Sequence, residues 1–440
     1  MEGIALKKRW KAASMHVLMA FALVVSMLTM SVTSASAKSD EPNVLAKAAI
    51  IIDADSGKIL YEKNANKALG IASMSKMMTE YILLDKIKAG EISWDDKYNV
   101  SKYAYKISHD TELSNVALRE DGVYTVRELY EAMAIYSANA ATIALTEVMA
   151  GSEKKFLPLM NKKAEELGLE KYTFYNATGL NNSQLQNMHP KGTPKKGENK
   201  MPAKEVAKLS YALLKEHPEV LETASVLKKT FAKGTKDAIP MENWNYMLKG
   251  GKYEYNGVDG LKTGSTDYAG QCFAATAKRG DMRVIAIVMD AKEKNGDSTY
   301  KARFDATKVL LDYAFDNFEK QTVLAKNTTF KNQQTIEVKN GKEKTVKIQA
   351  TTPIEMVVNK NDTKTMKPKL VLDHSSISAP VKKGVVVGHV EINGDKYGYI
   401  TPTELTSDVV TTTSASERGW LSKGFTGLGD FFKNVWNKVF

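Results

Sequence analysis

A single cysteine, Cys272, in 440 residues excludes an intramolecular disulfide. It sits in the strand-like run Gln271-Cys272-Phe273-Ala274 and is expected to be a small buried hydrophobe. Histidine is scarce too, with six in the chain. His189 lacks an acidic or histidine partner at ligand spacing, so it is read as a plain loop residue and not a metal ligand. Neither a metal cluster nor a glycine-rich nucleotide loop is present, and no cofactor is expected. Bases outnumber acids, 62 to 51, for a net charge of +11. That charge is scattered lysine without interleaved aromatics, which argues against nucleic-acid binding and suits an anionic envelope surface. Between the two chain ends no run is apolar enough to cross a bilayer. A chain of this size without disulfides must rely on a large hydrophobic core, and it is long enough to bury one.

The two ends of the chain differ from the middle. Lys7, Lys8, Arg9 and Lys11 precede a mostly apolar stretch over 15–30, and Ala35-Ser36-Ala37 offers small residues for cleavage. Together they predict an export signal over 1–37, with Lys38 beginning the mature chain. A transmembrane anchor is the alternative, but His16, Ser26 and Thr29 interrupt a run already near the ~18-residue limit. At the other end, Trp420, Leu421, Phe425, Leu428, Phe431, Phe432, Val435, Trp436, Val439 and Phe440 recur in steps of three and four. This stripe predicts an amphipathic helix lying in a membrane interface, reached by a Thr/Ser-rich linker over 406–416. A helix packed on its own domain is the alternative.

Between these ends, 48–53 and 58–61 flank the turn Asp55-Ser56-Gly57 and predict a hairpin. A helix is expected over 73–88, where Met77, Met78, Tyr81, Leu83 and Leu84 read as core. Further helices are expected over 126–136, 140–149 and 202–216. The polar stretch 183–201 is read as a surface loop without chemistry. Strands at 269–277 and 282–289, joined at Arg279-Gly280-Asp281, precede a helix over 303–318. Strands at both ends with helices between predict one α/β sheet built from chain-distant strands. From about residue 322 the pattern becomes all-β. A hairpin around Asn340-Gly341 is followed by strands at 354–358, 369–373, 385–392 and 397–400. The resulting division is a signal peptide (1–37), an α/β domain (38–318), an all-β domain (319–408) acting as spacer or partner surface, and a linker with amphipathic helix (409–440).

Three short pieces carry chemistry: Ser73-Met74-Ser75-Lys76, Ser137-Ala138-Asn139 and Lys262-Thr263-Gly264. A serine hydroxyl needs a base within reach, and a lysine three residues on lies on the same helical face. Lys76 can take the Ser73 proton if burial and a second cation, Lys262, keep it neutral. Ser137 can relay a proton, and Asn139 can hold Lys76 and the substrate amide. Thr263 faces the substrate and Gly264 admits its backbone. The backbone N–H groups of Ser73 and Ser265 are the candidate oxyanion hole. Each piece alone is weak: Ser-x-x-Lys arises about once by chance in such a chain, and Ser and Asn also cap helices.

In this order the three pieces resemble the low-molecular-mass penicillin-binding proteins, the serine D-alanyl-D-alanine carboxypeptidases. The resemblance extends through 262–266 with Ala269-Gly270, the turn at 280–283 and the segment 176–180, and covers the chain from about residue 45. It implies a penicillin-recognising α/β fold (an antiparallel sheet with helices), an all-β domain and a membrane-anchoring tail. It also implies removal of the terminal D-alanine from peptidoglycan pentapeptide stems on the outer face of the cytoplasmic membrane. Acylation by β-lactams and a substrate-carboxylate arginine, here Arg303, are implied too. The chain departs from the family at Ile71 (usually proline), Ser75 (threonine), Ala138 (glycine) and Glu205 (aspartate), where changed packing is expected. Endopeptidase or transpeptidase action at the same site, a β-lactamase and a non-catalytic envelope protein are the alternatives. A β-lactamase would need an extra water-activating glutamate, and no fitting Glu-x-x-x-Asn lies between Ser137 and Lys262.

Overall fold

A computed structural model of the protein describes residues 41–362, 366–402 and 405–419. The expected export signal and the amphipathic helix over 420–440 lie outside the described residues. The α/β part is built on five strands: β1 (Ala46–Asp53), β2 (Ile59–Lys63), β3 (Val258–Thr266), β4 (Gly270–Arg279) and β5 (Met282–Ala291). Their order across the sheet is β2-β1-β5-β4-β3, and every pairing is antiparallel.

Near-continuous apolar runs form these strands because both sheet faces are covered. Alternate side chains of a strand point to opposite faces. Ile50, Ile52, Ile285 and Ile287 therefore join one core, shared with Met77, Leu83, Leu129 and Leu145. Ile51, Val284 and Val288 join a second, shared with Phe304, Leu310 and Leu311. Cys272 is buried in the first core, as expected of a small hydrophobe. Helices α1 (Lys76–Lys88), α2 (Val126–Tyr136), α3 (Asn139–Ala150), α4 (Glu153–Glu166) and α5 (Ala203–Glu216) supply the first core. Helix α6 (Tyr300–Asn317) covers the other face. Because β3 is the edge strand, one of its sides stays unpaired by the sheet. Everything that matters chemically gathers there.

In the β domain, β6 (Phe318–Leu324) pairs with a later strand. Next come β7 (Thr335–Lys339) and β8 (Thr345–Ala350), then β9 (Ile354–Asn359), the partner of β6. With β10 (Lys367–Leu372), β11 (Ser376–Ser378), β12 (Val386–Asn393) and β13 (Thr406–Thr411), a six-stranded sheet runs β10-β12-β13-β8-β7-β11.

Two expectations are corrected here. Residues 406–411 are not linker but the inner strand β13, and pairing continues through bridges at Ala415 and Glu417. The β domain thus runs past residue 408. Thr/Ser composition hides the strand because two of its three inward positions, either side of Val409, are hydroxyls with partners. The Ser407 hydroxyl donates to Thr352 O (2.8 Å) and that of Thr411 to Lys382 O (2.7 Å). Residues 397–400 are not a strand of this sheet. They lie against the α/β domain, where Tyr399 bridges Lys58 and the Ile400 N–H donates to Gly57 O (2.9 Å).

Candidate active site

The chain enters the site through a 3₁₀ turn, Ala72–Ser75, that runs directly into α1. Ala72 stands at φ 46°, in the left-handed region, a local cost that active-site turns carry. Two glycines make the turn possible. A Cβ on Gly179 (φ 82°) would fall 1.8 Å from Ala72 O, and one on Gly264 would fall 2.9 Å from Ser73 N. Only a bare backbone lets β3 come this close to the nucleophile.

Beneath the turn, Lys76 is fully buried with three neighbours on Nζ: Ser73 Oγ at 2.8 Å, Asn139 Oδ1 at 2.9 Å and Thr178 O at 2.8 Å. None is an anion. Burial pushes the Lys76 pKa well below the usual lysine range, and the Lys262 ammonium pushes it further. A neutral amine keeps two N–H groups, enough for Asn139 and Thr178. Its lone pair then faces the Ser73 hydroxyl, the arrangement a base requires.

Each neighbour is held in turn. Asn139 opens α3 and donates from Nδ2 to Ser114 O (3.0 Å), which fixes the amide end that meets Lys76. Ser137 closes α2 in the left-handed conformation (φ 60°). The helix itself starts from a capping box between Thr125 and Glu128. The Trp244 indole N–H donates to Tyr136 O (3.1 Å) and pins the end of α2. Ser137 lines the groove, and among the described residues its side chain has no hydrogen-bond partner. The Thr178 carbonyl is set by the buried Asn176, whose Oδ1 accepts from Thr178 N (3.1 Å), Thr178 Oγ1 (2.9 Å) and Gly179 N (2.7 Å). Glu153 accepts from Ala177 N (2.8 Å) and Tyr103 Oη (3.0 Å), and burial raises its pKa to about 7.

Lys262 on β3 is buried as well and donates to Thr263 O (3.1 Å). Its pKa falls to about 7, through burial first and the Arg303 charge second. Arg303, in the first turn of α6, donates to Gly264 O at 3.5 Å and leaves its buried Nε without a partner. Burial lowers its pKa to about 10. Ser73, Ser137, Asn139, Thr263, Gly264, Ser265 and Arg303 line one open groove of about 1040 Å³ along β3. All nine expected residues therefore meet, with the two lysines under the floor.

Sequence reasoning misses Ser114 and Thr178 because they act through main-chain carbonyls, which carry no residue-type signal. The stretch 183–201, expected to be a surface loop without chemistry, reaches the site: its Ser183, Gln184 and Glu198 line the groove. Two of the departures from the family pattern, Ser75 and Ala138, are accommodated. Ser75 Oγ donates to Ala72 O (2.8 Å) and accepts from Asn199 Nδ2 (2.9 Å). Ala138 takes φ −58°, which needs no glycine.

Comparison with known proteins finds the D-alanyl-D-alanine carboxypeptidase family profile over residues 33–293 and that of the penicillin-binding protein 5 C-terminal domain over 318–411. The carboxypeptidase DacF of Bacillus subtilis is 32% identical over 378 residues, covering 85% of this chain and 89% of the relative. A Streptococcus pneumoniae structure described as a peptidoglycan synthesis regulatory factor (PBP3) is 35% identical, with TM-score 0.72, covering 85% of this chain and all of that one. Penicillin-binding protein D2 of Listeria monocytogenes, solved in its ampicillin-bound form, is 35% identical with TM-score 0.51, covering 62% and 98%.

Proposed function

The chain belongs to the D-alanyl-D-alanine carboxypeptidase family of low-molecular-mass penicillin-binding proteins, and from that premise we propose how its own residues release a terminal D-alanine. The protein is a serine-type hydrolase with D,D-carboxypeptidase and penicillin-binding activity. The observation that carries the mechanism is the Lys76 amine, 2.8 Å from Ser73 Oγ with only neutral acceptors around it.

A peptidoglycan stem peptide adds alongside the open edge of β3, with its terminal carboxylate toward Arg303 and Lys262. Neutral Lys76 takes the hydroxyl proton as Ser73 Oγ bonds to the penultimate carbonyl carbon. The oxyanion is held by the N–H groups of Ser73 and Ser265. As the C–N bond breaks, the Lys76 proton passes through Ser137 to the departing nitrogen, and D-alanine leaves. Water then gives a proton to Lys76 and attacks the ester carbon; as the ester C–O bond breaks, that proton passes from Lys76 to Ser73 Oγ, which restores the free hydroxyl and the neutral amine. A β-lactam acylates Ser73 in the same way, but its ring nitrogen stays tethered and the acyl-enzyme persists. The ampicillin-bound Listeria relative supports this reading.

The signal over 1–37 and the apolar stripe over 420–440 support an exported enzyme held peripherally at the outer face of the cytoplasmic membrane. Among the described residues no helix is long and apolar enough to cross a membrane. One experiment tests catalysis and anchoring together: D-alanine release from a diacyl-lysyl-D-Ala-D-Ala peptide by residues 38–419, which keep the pairing at Glu417, beside the Ser73→Ala form. The shortened protein is expected to be soluble, active and labelled by penicillin, with both activities lost in Ser73→Ala. Labelling that survives Ser73→Ala sinks the nucleophile, and a shortened protein that stays on membranes sinks the tail.

A further inference from the structure

The groove is electrically polar along β3. Lys262 and Arg303, the latter donating to Gly264 O, place positive charge at the level of residues 262–264. At the level of Thr266 stands a carboxylate, Glu198, which is only 5% exposed yet lines the groove. Its oxygens accept one neutral hydrogen bond each, from Thr266 Oγ1 (2.8 Å) and Asn181 Nδ2 (3.0 Å). Two such bonds leave about half of a carboxylate's acceptor capacity unused. Among the described residues no cation pairs with Glu198 within 4.0 Å. The nearby Lys200 ammonium feels the Glu198 charge, but it sits over the Tyr268 ring, 4.9 Å from its centre, and does not contact the carboxylate. A buried carboxylate with no cation in direct contact gains from a ligand that brings one.

Resting on the carboxypeptidase reading above, we propose that Glu198 is a specificity residue for a protonated amine on the substrate. The amine is the one ending the side chain of the third stem residue, directly upstream of the two D-alanines. Direction follows from charge. A peptide whose terminal carboxylate seeks Arg303 runs antiparallel to β3, so its upstream residues extend toward Thr266. With a strand rise of ~3.4 Å per residue, the residue before the acylated D-alanine comes level with Thr266 and Glu198. Cross-linking turns that amine into an uncharged amide. Glu198 therefore favours stems that carry a free amine over cross-linked ones, which biases this site toward carboxypeptidase and away from endopeptidase action.

The test compares two peptides, Nα-acetyl-lysyl-D-Ala-D-Ala with a free ε-amine and its Nε-acetylated form, on the full-length enzyme and on Glu198→Gln. The wild type is expected to prefer the free amine about tenfold in kcat/KM, through KM, as for one charge-assisted hydrogen bond. The preference is expected to shrink with added salt. In Glu198→Gln the ratio is expected to fall to about one. A merely structural role lowers turnover of both peptides and leaves the ratio intact, and that result overturns the proposal. So does a wild-type enzyme that handles the two peptides equally. Release of D-alanine from neither peptide by the wild type overturns the carboxypeptidase reading itself, and this inference with it.

Discussion

Lys76 under the groove and Lys58 at the seam between the α/β and β domains are both sealed from solvent, and they meet opposite surroundings. Lys58 Nζ has an anion, Asp395 Oδ1 at 2.9 Å, together with Val357 O at 2.8 Å and the Tyr397 ring at 5.2 Å. Burial lowers its pKa while Asp395 pulls it back up. Lys76 Nζ has neutral acceptors, and of the two charges that act on it from farther off, Lys262 lowers its pKa more than Glu153 raises it. Burial alone thus does not make a lysine a base. What decides is the company: a carboxylate turns a buried lysine into a fastener, while neutral oxygens and a second cation turn it into a proton acceptor.

Arginine at each position breaks the comparison most sharply, since a guanidinium does not give up its proton in proteins. Lys76→Arg is expected to lower kcat/KM for D-alanine release by at least about a thousandfold, the scale of a lost general base. Lys58→Arg is expected to retain activity. Equal losses in the two variants would erase the distinction. Removing the charge inverts the ranking. Lys58→Met strands Asp395 and is expected to cost about 3–5 kcal/mol of stability. Adding Asp395→Asn should recover part of that loss in thermal unfolding, with turnover per folded molecule unchanged throughout.

The smallest effect is in pH. Lys76 acts when neutral, so kcat/KM should rise with pH as it loses its proton. Lys262 acts when charged, so kcat/KM should fall again above about 7, where its proton leaves. A rate that keeps climbing past pH 8 would mean that Lys262 is not needed as a cation.

Legibility in the sequence tracked how local each signal was. The helix over about 126–136 could be read because its apolar spacing, through Leu129, Met133 and Ile135, is local. The motif serines and lysines were readable because the chemistry needs those residue types. Strand β13 was not, because Ser407 and Thr411 satisfy their hydroxyls across the fold, through residues far off in sequence. Residues 397–400 look like one more strand by composition, yet their partners lie at 57–59 in the other domain. Glu198 sat in a polar stretch that differs in no local way from solvated loop. Its meaning comes only from Thr266 lying beside it.

The order β2-β1-β5-β4-β3 also has a consequence in time. Strand β1 reaches the strand that carries Lys262 only through β5, so residues 46–53 must wait for 282–291 before the nucleophile's scaffold closes. Joining segments so distant in sequence is slow, because the loop entropy is lost before any contact compensates for it. A chain that emerges from its N-terminus therefore carries Ser73 for about half its length as an ordinary serine. Reactivity toward an acyl donor switches on only when the sheet is complete, which makes covalent labelling of Ser73 a clock for the last step of folding.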